Sequence, residues 1–181
     1  MSTNEELEEH AHHAKEPFDR KVAVTMAIIA AVLATVSVGA HVFANEELLL
    51  QQQASDQWAY YQAKSGRRYA SDVARDTLKA MQSAEASEKY SKNAERYEKE
   101  GEEIQVEARK LEAESKLKGK QSLRMEIGEV FLEIGIVFAS LAILSKRQLV
   151  WVVSMVSALV GLLIAVTAAF PDWPGFLDKV H

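Results

Sequence analysis

Residues 22–44 read VAVTMAIIAAVLATVSVGAHVFA, and His41 is the one side chain among them able to carry charge near neutral pH. A run of about 20 apolar residues crosses the hydrocarbon core of a bilayer, so this stretch predicts a membrane-spanning helix. Its end, Val42-Phe43-Ala44, resembles a signal-peptide cleavage site. The apolar run is longer than a signal peptide's, however, and an acidic tail stands where such peptides are basic. The expectation is a retained span.

Working outward, two more apolar blocks follow. Residues 149–170 carry no charge and match the first block in length. Residues 125–145 are interrupted by Glu126, Glu129 and Glu133. That block is long enough only if its acids stand at the bilayer entrance, near headgroups or against other helices. Ser145-Lys146-Arg147-Gln148 then closes a tight hairpin between the last two spans. The expected fold class is all-α: an integral membrane protein with three transmembrane helices, at 19–44, 125–145 and 149–170. A polar tail at 1–18 precedes them, and an interfacial tail at 171–181 follows.

The segment 45–124 is patterned differently. Tyr90, Tyr97, Ile104 and Leu111 recur every seven residues; Ser87, Ala94, Gly101 and Ala108 do so three places earlier. A seam that is small at one core position and large at the other suits a coiled coil with closely spaced helices. Glu85–Lys89, Glu88–Lys92, Glu95–Lys99, Glu112–Lys116 and Glu114–Lys118 set acid before base at i,i+4. Each such pair contributes about 0.2–0.5 kcal/mol on an exposed helix. A segment that leaves the bilayer and returns is most simply an antiparallel helical hairpin. Its turn is expected around 82–87, with arms of roughly 40 residues, about 60 Å each.

Composition narrows the function classes. The 181 residues include no cysteine, three prolines and eight glycines. Disulfides, thiol nucleophiles and iron–sulfur ligation are therefore excluded, and long uninterrupted helices are favoured. Of the net charge of -5, the N-terminal tail carries -4, since Glu5, Glu6, Glu8, Glu9 and Glu16 face Lys15 alone. Residues 46–124 hold 15 acids and 15 bases. Nucleic-acid binding needs a basic footprint, so no nucleic-acid partner is expected.

The run LLLQQQASDQWAYYQAKS at 48–65, directly after a span introduced by EPFDRKVAVTMAI at 16–28, resembles an uncharacterised bacterial membrane family, domain of unknown function 4337. FLEIGIVFASLAILSKRQLVW at 131–151 is similar to that family's closing helical hairpin with its basic turn. The likeness covers nearly the whole chain. It implies the three-pass plan with a helical hairpin, and Ser83-Ala84-Glu85-Ala86-Ser87 would match the family's alanine-rich turn. The resemblance implies no activity.

Catalytic signatures are missing: the chain has no glycine-rich phosphate loop, nucleophile elbow, His-Glu-x-x-His helix or paired cysteines. No enzyme and no cofactor is expected. His10, His12 and His13 lie among glutamates, but a metal site needs fixed geometry and supporting contacts; a solvated tail without metal is the expectation. Gln51, Gln52, Gln53, Gln57, Trp58, Tyr60, Tyr61 and Gln62 form an amide- and aromatic-rich patch, suited to stacking on a sugar or quinone. Interfaces and helix seams use the same residues, and the patch is assigned to them. Glu126, Glu129 and Glu133 share one helix face, and acids inside membranes often mark ion paths. Glu129, Glu133 and His41 are the candidates for such a path.

The more specific signal is a pair of small-residue ladders. Ala23, Ala27, Ala31, Thr35 and Gly39 run along the first span, and Ser157, Gly161, Ala165 and Ala169 along the last. Small residues at this spacing let helix backbones pack closely where lipid supplies no hydrophobic drive. Two ladders predict contacts between subunits as well as within one chain. With Ala94, Gly101 and Ala108 of the hairpin, they make up the expected packing and assembly set. The expected function is a non-enzymatic, self-associating scaffold or accessory subunit of a membrane complex whose partner the residues do not name. The alternative is an oligomeric ion or proton channel. The location expected is the bacterial cytoplasmic membrane. Arg20, Lys21, Lys146 and Arg147 put the N-terminus and the short loop in the cytoplasm, and the hairpin outside.

Overall fold

A computed structural model describes residues 17–170. Helix is the only regular structure among them: α1 (Pro17–Ala80), α2 (Ala84–Ser145) and α3 (Gln148–Thr167). All three are long and apolar enough to cross a membrane. The expected tails, with His10, His12 and His13, fall on 1–16 and 171–181, outside the described residues.

Several boundaries move. Helix α1 begins at Pro17, inside the expected tail, because proline suits the first helical position, where its missing N–H has no partner to lose. Asp19 in that first turn favours the positive helix end. Neither the first nor the second span is a helix of its own. Helix α1 continues unbroken past residue 44, and α2 runs unbroken through 124–125, since neither junction holds a breaker. Helix α3 stops at Thr167, followed by a turn.

The turn between α1 and α2 occupies residues 81–83, at the leading edge of the expected 82–87. Ala84 to Ser87 already belong to α2. Ser83 N–H donates to Leu78 O at 3.0 Å and Gln82 N–H to Lys79 O at 3.1 Å. This double closure is the Schellman arrangement, which needs a left-handed residue between its two bonds. Gln82 takes that role with φ 59°, where glycine would be the usual choice. Lys146, φ 54°, is the left-handed residue between α2 and α3.

The chain divides into two units, Met1–Ala44 with Gly119–His181 and Asn45–Lys118. In the first, Val22, Ile29 and Val36 of α1 recur every seven residues and are buried. Ile29 and Val36 cluster with Leu132 and Ala165, and Val22 clusters with Ala139 and Ala142. The interior is mostly small, whereas Val24, Ile28, Ile134, Val137, Leu141, Leu159 and Leu163 are exposed. The C-terminal end of α3 is closed by α2. Gln121 Nε2 donates to Ala168 O (2.8 Å), and Arg124 Nη1 donates to Thr167 O (3.2 Å) and Phe170 O (3.4 Å). A buried cation here answers both the unpaired last carbonyls and the negative helix end.

In the second unit, residues 45–80 of α1 and 84–118 of α2 run antiparallel. Contacts pair Ser87 with Arg75, Glu98 with Arg68, Glu100 with Lys64, Glu112 with Trp58, and Ser115 with Glu47. Ser87, Ala94, Gly101 and Ala108 are all buried, so the small rung faces the opposite arm. Tyr97, Ile104 and Leu111 flank it half-buried, and Tyr90 is exposed. A Cβ on Gly101 would meet the Tyr61 ring at 3.6 Å, ordinary contact. Gly101→Ala is therefore expected to raise stability by about 0.5–1 kcal/mol, the helix-propensity gain. Gly101→Leu must displace the ring and should lower stability by about 1–3 kcal/mol. Thermal unfolding of both variants decides it, and three equal midpoints would mean the arms do not meet there.

Candidate assembly surface

The two ladders have different surroundings. On α3, Ser154 and Gly161 are buried and Ser157 is half-buried. Ser154 Oγ donates to Gly135 O and Ser157 Oγ to Phe131 O, both at 2.7 Å. A Cβ on Gly161 would stand 2.6 Å from Gly128 O, and one on Gly128 would stand 2.7 Å from Gly161 O and 2.9 Å from Ala165 Cβ. Two helix backbones therefore cross in near contact at Gly128 and Gly161. Ser157, Gly161 and Ala165 face α2 of the same chain, while Ala169 is exposed. The partners Gly128 and Gly135 went unread in the sequence, although their seven-residue spacing in GEVFLEIG was the signal that points to them.

On α1 the outcome is the reverse. Ala23, Ala27, Ala31 and Thr35 are exposed, and so are Ala30 and Ala34. At 100° per residue, Ala23, Ala27, Ala30 and Ala34 line up on the side of α1 turned away from buried Val22, Ile29, Val36 and Ala40. Their 4-3-4 spacing is that of a heptad seam. Gly39 is half-buried; a Cβ there would meet Met125 Cε at 3.3 Å. Among the described residues, the first unit thus presents an exposed band of alanines.

The carboxylates of α2 in the first unit stand apart from one another. Glu126 is exposed and accepts from Ser122 Oγ at 3.0 Å. Glu133 is exposed and Glu129 half-buried. Among the described residues neither makes a hydrogen bond or ion pair, and none links them to exposed His41. These three residues are therefore not brought together as a site within one chain.

In the second unit, charges and aromatics join the arms. Trp58 Nε1 donates to Glu112 Oε1 at 2.8 Å and packs edge-on against Tyr61, 5.7 Å between centroids. Two of the expected helix-face pairs form, Lys92–Glu88 at 2.7 Å and Lys99–Glu95 at 3.1 Å. Glu112 instead takes Trp58, and Lys118 reaches Glu46 at 2.6 Å. The amide-rich patch divides accordingly: Trp58 and Tyr61 serve the seam, and Gln51, Gln52 and Gln53 are exposed.

Lys64 is the best-connected cation of this unit. It meets Glu100 Oε2 at 2.5 Å and lies over the Tyr60 and Tyr97 rings, 5.2 and 5.5 Å from their centroids. Hydrogen bonds to Glu100, then to Tyr60, hold its ammonium above the ordinary 10.5. The bond from Lys64, with Arg96 and Arg67 nearby, holds Glu100 below the ordinary 4.5. A lowered carboxylate contributes stability above its ordinary value and loses it as pH falls through the lowered one. The raised ammonium contributes below 10.5 and loses its share as pH rises beyond. The parent should therefore lose thermal stability as pH falls below about 4.5 more steeply than Lys64→Met does. Melting both proteins from pH 7 to pH 2.5 tests this, and parallel curves would count against the pair.

A family model described as a domain of unknown function (DUF4337) matches residues 18–171. Neither a curated protein nor a solved structure matches the chain.

Proposed function

Since the chain belongs to the DUF4337 family, a domain of unknown function, we propose its role from geometry: a non-enzymatic membrane scaffold that self-associates through α1. The observation carrying this is the exposed band Ala23, Ala27, Ala30 and Ala34, left open while the small residues of α3 are covered by α2. A bilayer setting is supported by the inverted distribution of side chains, with small residues inside and large apolar ones outside. Without a hydrophobic drive between helices, close backbone approach supplies association. A second copy on the alanine band would gain that approach. Residues 45–118 then form a coiled-coil hairpin outside the bilayer, an arm for a partner complex. Arg20, Lys21, Lys146 and Arg147 lie on the cytoplasmic side of a bacterial inner membrane in this reading.

The absence of cysteine makes the test direct. Single cysteines at Ala27 or Ala34 should form disulfide-linked dimers in membranes under mild oxidation. Cysteine at exposed Val156 of α3 should not. Equal cross-linking at all three positions, or none at Ala27 and Ala34, would overturn the assignment.

A second reading is favoured by one observation. Glu133 is exposed about 13 Å along α2 from Arg124, nine residues at 1.5 Å each, within the apolar part of the helix. A carboxylate there is costly against lipid. In an ion-conducting oligomer it would line the axis, and Glu133→Gln would abolish proton flux in vesicles without altering the assembled mass.

A further inference from the structure

At one end of the first unit, Pro17, Arg20, Lys21, Val24, Thr25 and Trp151 line an open groove of about 710 Å³ between α1 and α3. Its polar wall is cationic. Asp19, the nearby acid, is engaged by Lys146 Nζ at 2.5 Å. Among the described residues, Arg20 and Lys21 have no ion-pair partner, and both are exposed.

A second groove adjoins it at Thr25. This second groove, about 250 Å³, runs along α1 and α3 over Ile28, Val32, Met155, Ala158 and Leu162. It is apolar along this length, and Ile28 is 60% exposed. From Lys21 to Val32 is eleven residues, about 17 Å of helix. One leaflet of a bilayer is about 15 Å deep, half of its roughly 30 Å hydrocarbon core. A cationic mouth thus opens onto an apolar trough one leaflet long.

We propose that this α1–α3 groove binds one anionic phospholipid, with its phosphate at Arg20 and Lys21 and an acyl chain along Ile28, Val32 and Met155. The two charges fit a headgroup that keeps a net negative charge, as phosphatidylglycerol does and phosphatidylcholine does not. Trp151, whose Nε1 lies 3.4 Å from Thr25 Oγ1, closes the groove at headgroup level, where tryptophan is favoured. The trough selects a lipid over free phosphate, since phosphate alone leaves it empty.

The test uses the full chain purified in mild detergent and native mass spectrometry, with phosphatidylglycerol and phosphatidylcholine of equal chain length. Phosphatidylglycerol is expected to be retained about 25-fold better, two cations each contributing about fivefold. Lys21→Gln should lower that retention about fivefold. Arg147→Gln removes the same charge outside the groove and should change it less than about twofold. Ile28→Trp, which fills the trough and leaves the cations alone, should also release the lipid. Equal losses for Lys21→Gln and Arg147→Gln would reduce the effect to diffuse attraction and overturn the site. So would displacement of the lipid by millimolar inorganic phosphate, or equal retention of the two lipids. The inference rests on the chain's lying in a bilayer, which has its own readout. Protein washed from membranes by alkaline carbonate fails that premise, whereas protein that stays without lipid preference fails the site alone.

Discussion

Gly161→Ala is expected to lower stability by about 2–4 kcal/mol, although it adds one methyl group and a better helix former. The new Cβ would stand 2.6 Å from Gly128 O, 2.9 Å from Phe131 Cβ and 3.1 Å from Leu132 N. Two of these atoms are backbone, and the third is fixed to it, so no side chain can swing aside. The helices must separate instead. Separation lengthens the bonds from Ser157 to Phe131 O and from Ser154 to Gly135 O, leaving buried groups short of partners at about 1–3 kcal/mol each when lost. It also opens space beside Leu132 and Ala165, which share a core cluster. Against this stands the intrinsic gain of alanine over glycine in a helix, about 1 kcal/mol. Gly66→Ala isolates that gain, because nothing lies within 4 Å of a Cβ at Gly66. Thermal unfolding in one detergent should therefore move the two variants in opposite directions. If Gly161→Ala rises with Gly66→Ala, α2 and α3 do not cross closely at Gly128.

The contrast between these glycines shows what could be read from the residues and what could not. The three apolar blocks were legible because their lengths answer to the thickness of hydrocarbon, and each falls in a helix able to span it. The small rung Ser87, Ala94, Gly101 and Ala108 was legible because these residues are spaced by seven in a charged segment, where few other arrangements exclude water. Sidedness of the apolar helices was not. Where lipid replaces water, large apolar side chains belong outside as readily as inside, so hydrophobicity does not mark the buried face. Small-residue spacing marks close approach but not the partner. The ladders at Ala23, Ala27, Ala31 and at Ser157, Gly161, Ala165 look alike as strings; only packing separates a face turned outward from one sealed by Gly128. The turn was expected around 82–87 and falls at its leading edge; the left-handed role of Gln82 was not legible. A non-glycine residue in the left-handed region leaves no compositional trace, and the alanine-rich stretch beside it continues the helix. The role of Arg124 was not legible either, because the carbonyls that bind it end α3, some 43 residues away in sequence.

Replacing Ala27 and Ala34 together by leucine should dissociate the assembly while leaving the folded chain intact. The two positions are seven residues apart, about 10 Å along α1, and both are exposed on the band that also holds Ala23 and Ala30. Neither alanine belongs to the cluster of Ile29, Val36, Leu132 and Ala165, so leucine at these exposed places leaves that cluster undisturbed. Surface substitutions of this kind change stability by about 0.5 kcal/mol or less. The helix also stays apolar enough to insert. Between two copies the same change is severe. Alanine-lined helices approach to near 8 Å, the close end of the 8–10 Å range of interaxial distances. Two added isobutyl groups per helix force the axes apart and remove the dispersion contacts that association in lipid depends on. At detergent ratios where the parent is a defined oligomer, the variant should run at monomer mass. Gly161→Ala, by contrast, should lose thermal stability before any change in mass, so the two variants separate assembly from folding. Should the double-leucine protein keep the parent's mass and melting point, the alanine band faces lipid, and the scaffold reading loses the surface on which it stands.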